Sequence, residues 1–310
     1  MHTYINDAMI TKVYIMFRFI MFEFLTPLSD LLRTEPTFFI IVSVIFGLMV
    51  GSFLNVVVHR LPIMMEREWH ANCLELQGKD VPQTDKYTLM TPRSACPKCH
   101  HNITAWENIP VISYLILGGK CRACKTKISM RYPLIEVFTG TLIGLVAYKY
   151  GYTTTTLFAW LFVFALVALT FIDFDTQLLP DDITLPLLWL GLLFNLNGGF
   201  TDLQSAVIGA MAGYLTLWSI YWLFKIATGK EGMGYGDFKL LGAIGAWFGW
   251  QILPAVILLS SVLGAVIGIA LILFKDKGKN TAIPFGPFLA LGGLAALFYG
   301  QSLAQLYLVH

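Results

Sequence analysis

Charge is scarce in this sequence. Asp, Glu, Lys and Arg make up 13% of the 310 residues, whereas they make up about a quarter of an ordinary soluble domain. Hydrophobic residues make up 56%, and they gather in blocks long enough to span a bilayer, which takes about 20 residues. The scarcity of charge therefore excludes a soluble globular protein and predicts an all-α, polytopic membrane helix bundle.

Two further absences narrow the function. Few polar residues lie in the middle of the apolar blocks, which argues against an ion transporter because a transport path needs polar groups at membrane depth. The six histidines lack the spacing of metal ligands, which argues against a histidine-based metal centre. The net charge is only +2, and we expect no nucleic-acid partner.

The apolar blocks predict about eight membrane spans. The block at residues 240–274 is too long for one helix, and we expect a break near Trp250–Pro254 because proline lacks an amide and clashes with the preceding turn. Small residues recur in the blocks, as at 242–246, and suit close helix packing. The predicted spans are 38–58, 134–148, 157–172, 183–200, 203–228, the two halves of 240–274, and 283–308.

Lysine and arginine predict the topology. Loops 59–133, 225–239 and 275–281 alternate with the spans and hold 17 of the 21 Lys and Arg residues. Positively charged loops stay in the cytoplasm, so both termini should face outward. Residues 1–37 are predicted to be interfacial or partly disordered, and the first span is interpreted as an anchor rather than a cleaved signal peptide.

All five cysteines lie in the loop 59–133. Four form two C-x-x-C pairs separated by 21 residues, a spacing typical of a zinc site. Four thiolates complete a tetrahedron, so the site is expected to be structural and to help fold the loop. The alternatives are redox-active or disulfide-bonded cysteines and incidental thiols; Cys73 is expected to be unliganded. The predicted ligands are Cys96, Cys99, Cys121 and Cys124.

Two aspartates lie at the cytoplasmic ends of different spans. Asp173 stands between Ile172 and Phe174, and Asp237 lies in a glycine-rich stretch before the block at 240. Ionisable groups at membrane depth are costly and usually face the bundle interior. A pair that shares one proton can activate a water and protonate a leaving amine, which is peptide hydrolysis. The alternatives are an ion-transport or proton-transport site and solvated loop acids.

The acids that follow Asp173 are assigned lesser roles. Asp175 lies two residues further toward water, and Asp181 and Asp182 follow a proline and precede an apolar block. One of these two is expected to cap a helix.

The residues 234–237, Gly-Tyr-Gly-Asp, resemble the GxGD motif of membrane aspartyl proteases, and with Asp173 they are similar to the type IV prepilin leader peptidases. In the segment 51–62, which also matches the family, His59 is a minor departure from the family pattern. The resemblance covers nearly the whole chain from Gly51 onward, and the ordered set of motifs is far more specific than GxGD alone. The other matching segments are 51–62 (GSFLNVVVHRLP), 106–114 (WENIPVISY) between the cysteine pairs, 131–136 (RYPLIE) and 178–181 (LLPD).

The resemblance implies an endopeptidase that removes basic leader peptides from prepilins and pseudopilins at the cytoplasmic face of the bacterial inner membrane, with Asp173 and Asp237 as catalytic residues. The cysteine-bearing loop marks the longer form of the family, which also methylates the new N terminus with S-adenosylmethionine. The expected cofactors are therefore structural zinc and this methyl donor, and the expected partners are the substrates and membrane lipid. The sequence shows no methyl-donor fingerprint, and Gly118–Gly119 is interpreted as a turn more readily than as a binding loop.

These expectations divide the chain into four parts: an N-terminal segment at 1–37, the first span at 38–58, a cytoplasmic cysteine domain at 59–133 that is assigned the methyltransferase activity, and an aspartyl protease domain at 134–310. Two alternative functions are an intramembrane GxGD protease acting on other signal segments and a carboxylate-dependent ion transporter. The cysteine insert argues against the first of these, because such a protease would not need it.

Overall fold

A computed structural model describes residues 26–80, 85–274 and 283–308. The regular secondary structure of the described residues is helical. The only β pairing among these residues consists of two isolated bridges. The all-α prediction is confirmed. The predicted interfacial segment before residue 26 and the basic loop 275–281 lie outside the described residues. The helices are α1 (26–34), α2 (Pro36–Leu76), α3 (Ile112–Ile116), α4 (Arg131–Tyr150), α5 (Thr154–Thr176), α6 (Asp181–Asn195), α7 (Leu203–Thr228), α8 (Tyr235–Phe248), α9 (Leu253–Phe274) and α10 (Gly286–Leu308).

Four of the described helices are long and apolar enough to cross a membrane. They are α2, α5, α7 and the stretch Trp250–Leu271, which includes most of α9. The apolar part of α10, Gly286–Gly300, is shorter, and α6 and α8 run only 15 and 14 residues. The protein is therefore a membrane protein, whereas the count of eight spans is not confirmed.

The predicted break in the block at 240–274 is present. Helix α8 ends at Phe248, a short 3-10 turn covers Trp250–Ile252, and α9 begins at Leu253. The backbone of Gly249 has φ 83°, a conformation that favours glycine over other residues. Pro254 lies in the first turn of α9, where a missing amide costs no helical hydrogen bond. The glycine therefore ends the first helix, and the proline suits the start of the second.

Helices α5 and α8 lie at the centre of the bundle. Helix α5 contacts α2 and α4, helix α8 contacts α7, and both are contacted by α6 and α10. The approach of α7 to α8 needs glycine, because a Cβ on Gly245 would overlap the carbonyl of Gly209. The predicted packing role of residues 242–246 is thereby confirmed. Helices α6 and α10 therefore bridge the two central helices. The start of α10 lies beside the end of α5, and the residue Leu179 before α6 lies beside the start of α8.

Candidate active site and metal centre

Asp173 lies in the last turn of α5 and is buried. Its Oδ2 accepts a hydrogen bond from the backbone N–H of Gly286 at 2.9 Å. Gly286 is the first residue of α10, where backbone amides have no partner within their own helix. The start of α10 therefore supplies a donor that holds the Asp173 carboxylate in place.

Asp237 lies in the first turn of α8 and is also buried. Its Oδ2 accepts from the N–H of Gly234 at 3.2 Å, which is the acidic half of a capping box. Its Oδ1 is buried and has no hydrogen-bond partner among the described residues. A buried carboxylate oxygen without a partner is costly, so helix capping alone does not explain this side chain.

The structure brings the two aspartates to one end of the bundle. Gly286, whose amide bonds Asp173, and Gly236, the residue before Asp237, both lie against the same side chain. Leu179, just before α6, packs beside both: a Cβ on Gly236 would lie 2.6 Å from Leu179 Cβ, and a Cβ on Gly286 would lie 3.1 Å from Leu179 Cδ2. The two acids predicted from the sequence therefore lie where α5, the segment before α6, and the starts of α8 and α10 come together around Leu179.

The neighbouring acids are engaged in ion pairs. Both oxygens of Asp175 accept from Arg131 at 2.7 Å, and both oxygens of Asp181 accept from Lys239 at 2.6 and 2.7 Å. The expected side-chain cap of α6 is absent, since the N-cap position is Pro180 and no side chain caps it. Asp181 and Asp182 instead lie in the first turn, where negative charge suits the helix dipole.

The four predicted zinc ligands also come together. The sulfur atoms of Cys96, Cys99, Cys121 and Cys124 all lie within 4.8 Å of one another. Two of the Sγ–Sγ distances are 3.8 and 3.9 Å, and a tetrahedron with Zn–S bonds of about 2.3 Å has edges of about 3.8 Å. A disulfide needs a sulfur separation of about 2.05 Å. The arrangement therefore fits a four-thiolate zinc site and not a pair of disulfides.

The two C-x-x-C turns have the same backbone. In each turn the residue after the second cysteine, His100 or Lys125, has positive φ and donates its N–H to the carbonyl of the first cysteine, Cys96 or Cys121. The repeated geometry points two thiols from each turn toward the same centre. Hydrogen bonds with Thr126 lower the pKa of the Cys124 thiol to about 6. Despite a hydrogen bond with the His101 backbone, burial and the neighbouring thiols raise the pKa of Cys99 to about 11, and metal binding requires the thiolate form of each.

Comparisons with known proteins identify the family of this chain. The model of the bacterial peptidase A24 N-terminal domain matches residues 45–150, and that of the type IV leader peptidase family matches residues 160–269. A prepilin leader peptidase/N-methyltransferase of Aeromonas salmonicida (strain A449) is 56% identical over 92% of this chain and 99% of its own length. The chain belongs to the type IV leader peptidase family. No solved structure was found to match it.

Other relatives in the family carry the same name. The prepilin leader peptidase/N-methyltransferase of Pseudomonas aeruginosa is 53% identical over 91% of this chain and 98% of its own, and that of Neisseria gonorrhoeae is 52% identical over 86% and 92%. Family membership confirms the prediction of a peptidase with N-methyltransferase activity. The comparisons give no support to a GxGD protease for other signal segments or to an ion transporter.

The glycine turn of this leader peptidase does not form a cradle for the methyl donor. Gly118 and Gly119 both have positive φ, and a Cβ on Gly119 would lie 2.7 Å from the hydroxyl oxygen of Tyr114. That ring fills the space beside Gly119, whereas a Cβ on Gly118 would meet nothing within 4 Å. The two glycines form a turn, and they do not form a closed cradle for the methyl donor.

Glu107 in the cysteine domain and Glu136 in α4 each accept hydrogen bonds from nearby residues. Glu107 accepts hydrogen bonds from the backbone and hydroxyl of Thr104 and contacts His101 at 3.3 Å. These contacts lower the pKa of Glu107, and the hydrogen bond from the Thr104 backbone has the largest effect. Glu136 accepts from the N–H of Val111 at 2.8 Å. Neither carboxylate therefore needs a catalytic role to explain its position.

Three residues that contact Asp173 or the acids near the pair were not predicted from the sequence. Gly286 donates to Asp173, and Lys239 and Arg131 pair with the neighbouring acids. The available signal for Gly286 was its place between two prolines, at 284 and 287, at the start of the last apolar block. The contacts themselves join residues up to 113 positions apart, which a local pattern does not reveal.

Replacing Gly286 with alanine should lower leader cleavage by on the order of 100-fold, since small displacements of a catalytic group have effects of that size. The new Cβ would lie 2.6 Å from Asp173 Oδ2 and would push the carboxylate away from its amide donor. Gly300→Ala in the same helix is the matched control, because its Cβ would meet nothing within 4 Å. Equal initial rates of prepilin cleavage in the two variants would contradict this role for Gly286.

Proposed function

We propose that Asp173 and Asp237 form the catalytic dyad of a membrane aspartyl endopeptidase. In this proposal the enzyme removes the leader peptides of prepilins and pseudopilins at the cytoplasmic face of the inner membrane and then methylates the new N-terminal amine. The observation that carries it is the meeting of two buried carboxylates from α5 and α8, one oxygen of which has no partner among the described residues.

The dyad can perform peptide hydrolysis with a single shared proton. Ionising both carboxylates in an apolar pocket is unfavourable, so one stays protonated. The ionised group removes a proton from a water, whose oxygen attacks the scissile carbonyl. The protonated group hydrogen-bonds the developing oxyanion and then passes its proton to the leaving amine. The pair titrates as a unit, so both roles are assigned to the pair.

The backbone amides that bind the dyad support this mechanism. The N–H of Gly286 holds Oδ2 of Asp173, and the N–H of Gly234 holds Oδ2 of Asp237. The Gly234 amide bonds only one oxygen of Asp237, and Oδ1 is left without a partner among the described residues. The free oxygen is thus the one available to a water between the two side chains.

Zinc, in this proposal, binds Cys96, Cys99, Cys121 and Cys124 and has a structural role. All four ligand positions are then filled by protein, which leaves none open for substrate. We assign methylation to the cysteine domain at 59–133 and cleavage to the domain at 134–310. S-adenosylmethionine supplies the methyl group when bound.

The sidedness of the proposal rests on charge. The aspartates lie at the same membrane edge as the loops with most of the Lys and Arg residues, and such loops stay in the cytoplasm. The ion pairs of Arg131 with Asp175 and of Lys239 with Asp181, close to the dyad, support this assignment. A leader peptide that is basic would approach from the same side.

A cleavage assay tests the proposal as a whole. The purified protein in lipid vesicles, given a prepilin and S-adenosylmethionine, should release the leader and yield a shortened pilin with one methyl group on its new N terminus. Mass spectrometry of the products measures both changes. A related enzyme that is known to be active serves as the positive control. If it cleaves the prepilin and the folded protein does not, the substrate assignment is wrong.

The two activities should separate by mutation. An Asp237→Asn enzyme should still methylate a precleaved pilin, whereas a Cys121→Ser enzyme should lose methylation more than cleavage, because the two sites lie in different parts of the chain. Transfer of labelled methyl groups from S-adenosylmethionine to precleaved pilin measures the first activity. If methylation disappears in a folded Asp237→Asn enzyme, the two reactions share one site and the division into domains is wrong.

A further inference from the structure

The short helix α3 carries an unusually apolar outer face. Ile112, Leu115 and Ile116 are 55%, 71% and 78% exposed, and their spacing of three and four residues places them on one side of the helix. The opposite side faces the protein, where the Tyr114 hydroxyl donates to the carbonyl of Ile128. The adjoining 3-10 turn contacts α3 and adds Trp106, which is 80% exposed. Four large apolar side chains therefore point away from the domain together.

The start of α3 is bonded to α4 more than one turn inside that helix. The N–H of Val111, the residue before α3, donates to Glu136, five residues inside α4 from Arg131. Five helical residues span about 7.5 Å, and Arg131 itself pairs with Asp175 beside the dyad. The start of α3 is thus held deeper in the bundle than the charged residues that mark the membrane edge.

Helix α2 gives the same depth independently. Glu136 also bonds Ser52 of α2, and a Cβ on the adjacent Gly51 would lie 2.9 Å from Glu136 Cα. Arg60 is the next arginine along α2. It lies eight residues beyond Ser52, which is about 12 Å along the helix. Glu136, which bonds the residue before α3, therefore lies further from the charged ends of α2 and α4 than Arg60 and Arg131 do.

The backbone at this point is held under strain. Val111 has φ 61° and ψ −49°, a conformation that costs a β-branched residue free energy and persists only where its surroundings fix it. The hydrogen bond from its N–H to the buried Glu136 is such a constraint. The chain is thus fixed to α4 at the residue before the apolar helix.

We propose that the face Ile112, Leu115, Ile116 and Trp106 inserts into the cytoplasmic leaflet and holds the cysteine domain against the bilayer. The occupant we assign to this face is lipid. The helix α4, to which the start of α3 is bonded, also exposes the apolar side chains Leu134, Val137 and Phe138. Tryptophan is favoured at the membrane–water interface, and an apolar helix face of this kind lies at the boundary of headgroups and acyl chains.

The charge of the domain agrees with this occupant. Exposed basic side chains follow α3 in the chain and would meet the negative surface potential of the leaflet, which attracts Lys and Arg. They are Lys120, Arg122, Lys125 and Lys127. The inference extends the proposed topology and does not depend on which residues perform cleavage.

Photocrosslinking of the full-length protein tests this. The photoreactive amino acid p-benzoylphenylalanine replaces Leu115, or in a second variant Ile116, and the protein is illuminated in vesicles of phosphatidylethanolamine and phosphatidylglycerol. Position 145, an exposed leucine of α4, is the lipid-facing control, and position 76, an exposed leucine at the far end of α2, is the solvent control. Mass spectrometry then counts lipid adducts at each position.

Lipid adducts at 115 or 116 should match those at 145 and exceed those at 76 several-fold. Adducts no more frequent than at 76 would overturn the proposal and place the face in water. Crosslinks from both positions mainly to added prepilin, or to a second copy of the chain, would also overturn it by assigning the face to a protein partner. Prepilin cleavage by each variant before illumination shows that it is folded.

Discussion

The Asp173→Asn and Asp237→Asn enzymes should each lose prepilin cleavage by at least about 100-fold, the lower end of what general acid–base catalysis contributes. Asparagine keeps the size of the side chain and can still accept from Gly286 or Gly234, but it cannot exchange a proton with water. A lone carboxylate then cannot act as both base and acid. Initial rates of leader release measure the loss.

Asp182→Asn is the matched control, because it makes the same chemical change at an exposed first-turn position close to the site. Asp175→Asn should have an intermediate effect. It breaks the pair with Arg131, but both partners are more than a third exposed, and such pairs contribute about 0–1 kcal/mol. Near wild-type cleavage by either dyad variant, with unchanged thermal melting, would show that the dyad assignment is wrong.

The purified protein should carry about one zinc ion per chain, and Cys121→Ser should remove most of it. Structural zinc sites of this kind bind with free energies of about 10–16 kcal/mol that are coupled to folding. Losing one of four thiolates should therefore lower zinc content sharply and expose the loop 77–130 to proteolysis. Elemental analysis and limited proteolysis of the same preparation measure both effects.

Cys73→Ser is the control for this experiment. Cys73 is exposed in α2 and lies outside the cluster, so its replacement should leave the zinc content unchanged. A wild-type protein without zinc and with two disulfides would contradict the assignment. The sulfur separations of 3.8 and 3.9 Å would then have to close by more than 1.5 Å, given a disulfide length of about 2.05 Å.

Much of the site was predictable because its parts carry local signals. The apolar blocks predict helices, the two C-x-x-C pairs predict a cluster, and Asp173 and Asp237 lie where apolar blocks end. Each of these signals spans a few residues of sequence. The structure places the two aspartates around Leu179 and the four cysteines within one cluster.

Contacts between distant segments were not predictable in the same way. The block at 183–200 predicts a span of 18 residues, but α6 ends at Asn195. The Nδ2 of Asn195 donates to the carbonyls of Ala246 and Trp247 at the end of α8, and its Oδ1 accepts from the amide of Phe200. This side chain satisfies carbonyls that a helix end leaves unpaired, and its partners lie 51 and 52 residues away.

The end of α2 was also longer than expected. The apolar block predicts a span ending at residue 58, whereas the helix continues to Leu76. The extension is rich in Met, Glu, Arg and Leu, which favour helix. A hydropathy pattern marks where the membrane-compatible segment ends, but it does not mark where the helix ends.

The short helix α6 has a consequence for the membrane around the enzyme. Its 15 residues rise about 22 Å, whereas the hydrocarbon core of a bilayer is about 30 Å thick. Trp189 and Leu193 of α6 are exposed on the outside of the bundle, so acyl chains beside them face a helix that is too short. Hydrophobic mismatch of this kind is relieved by local thinning of the bilayer. We therefore expect the bilayer to be thinner beside α6 than beside the longer helices α2, α5 and α7.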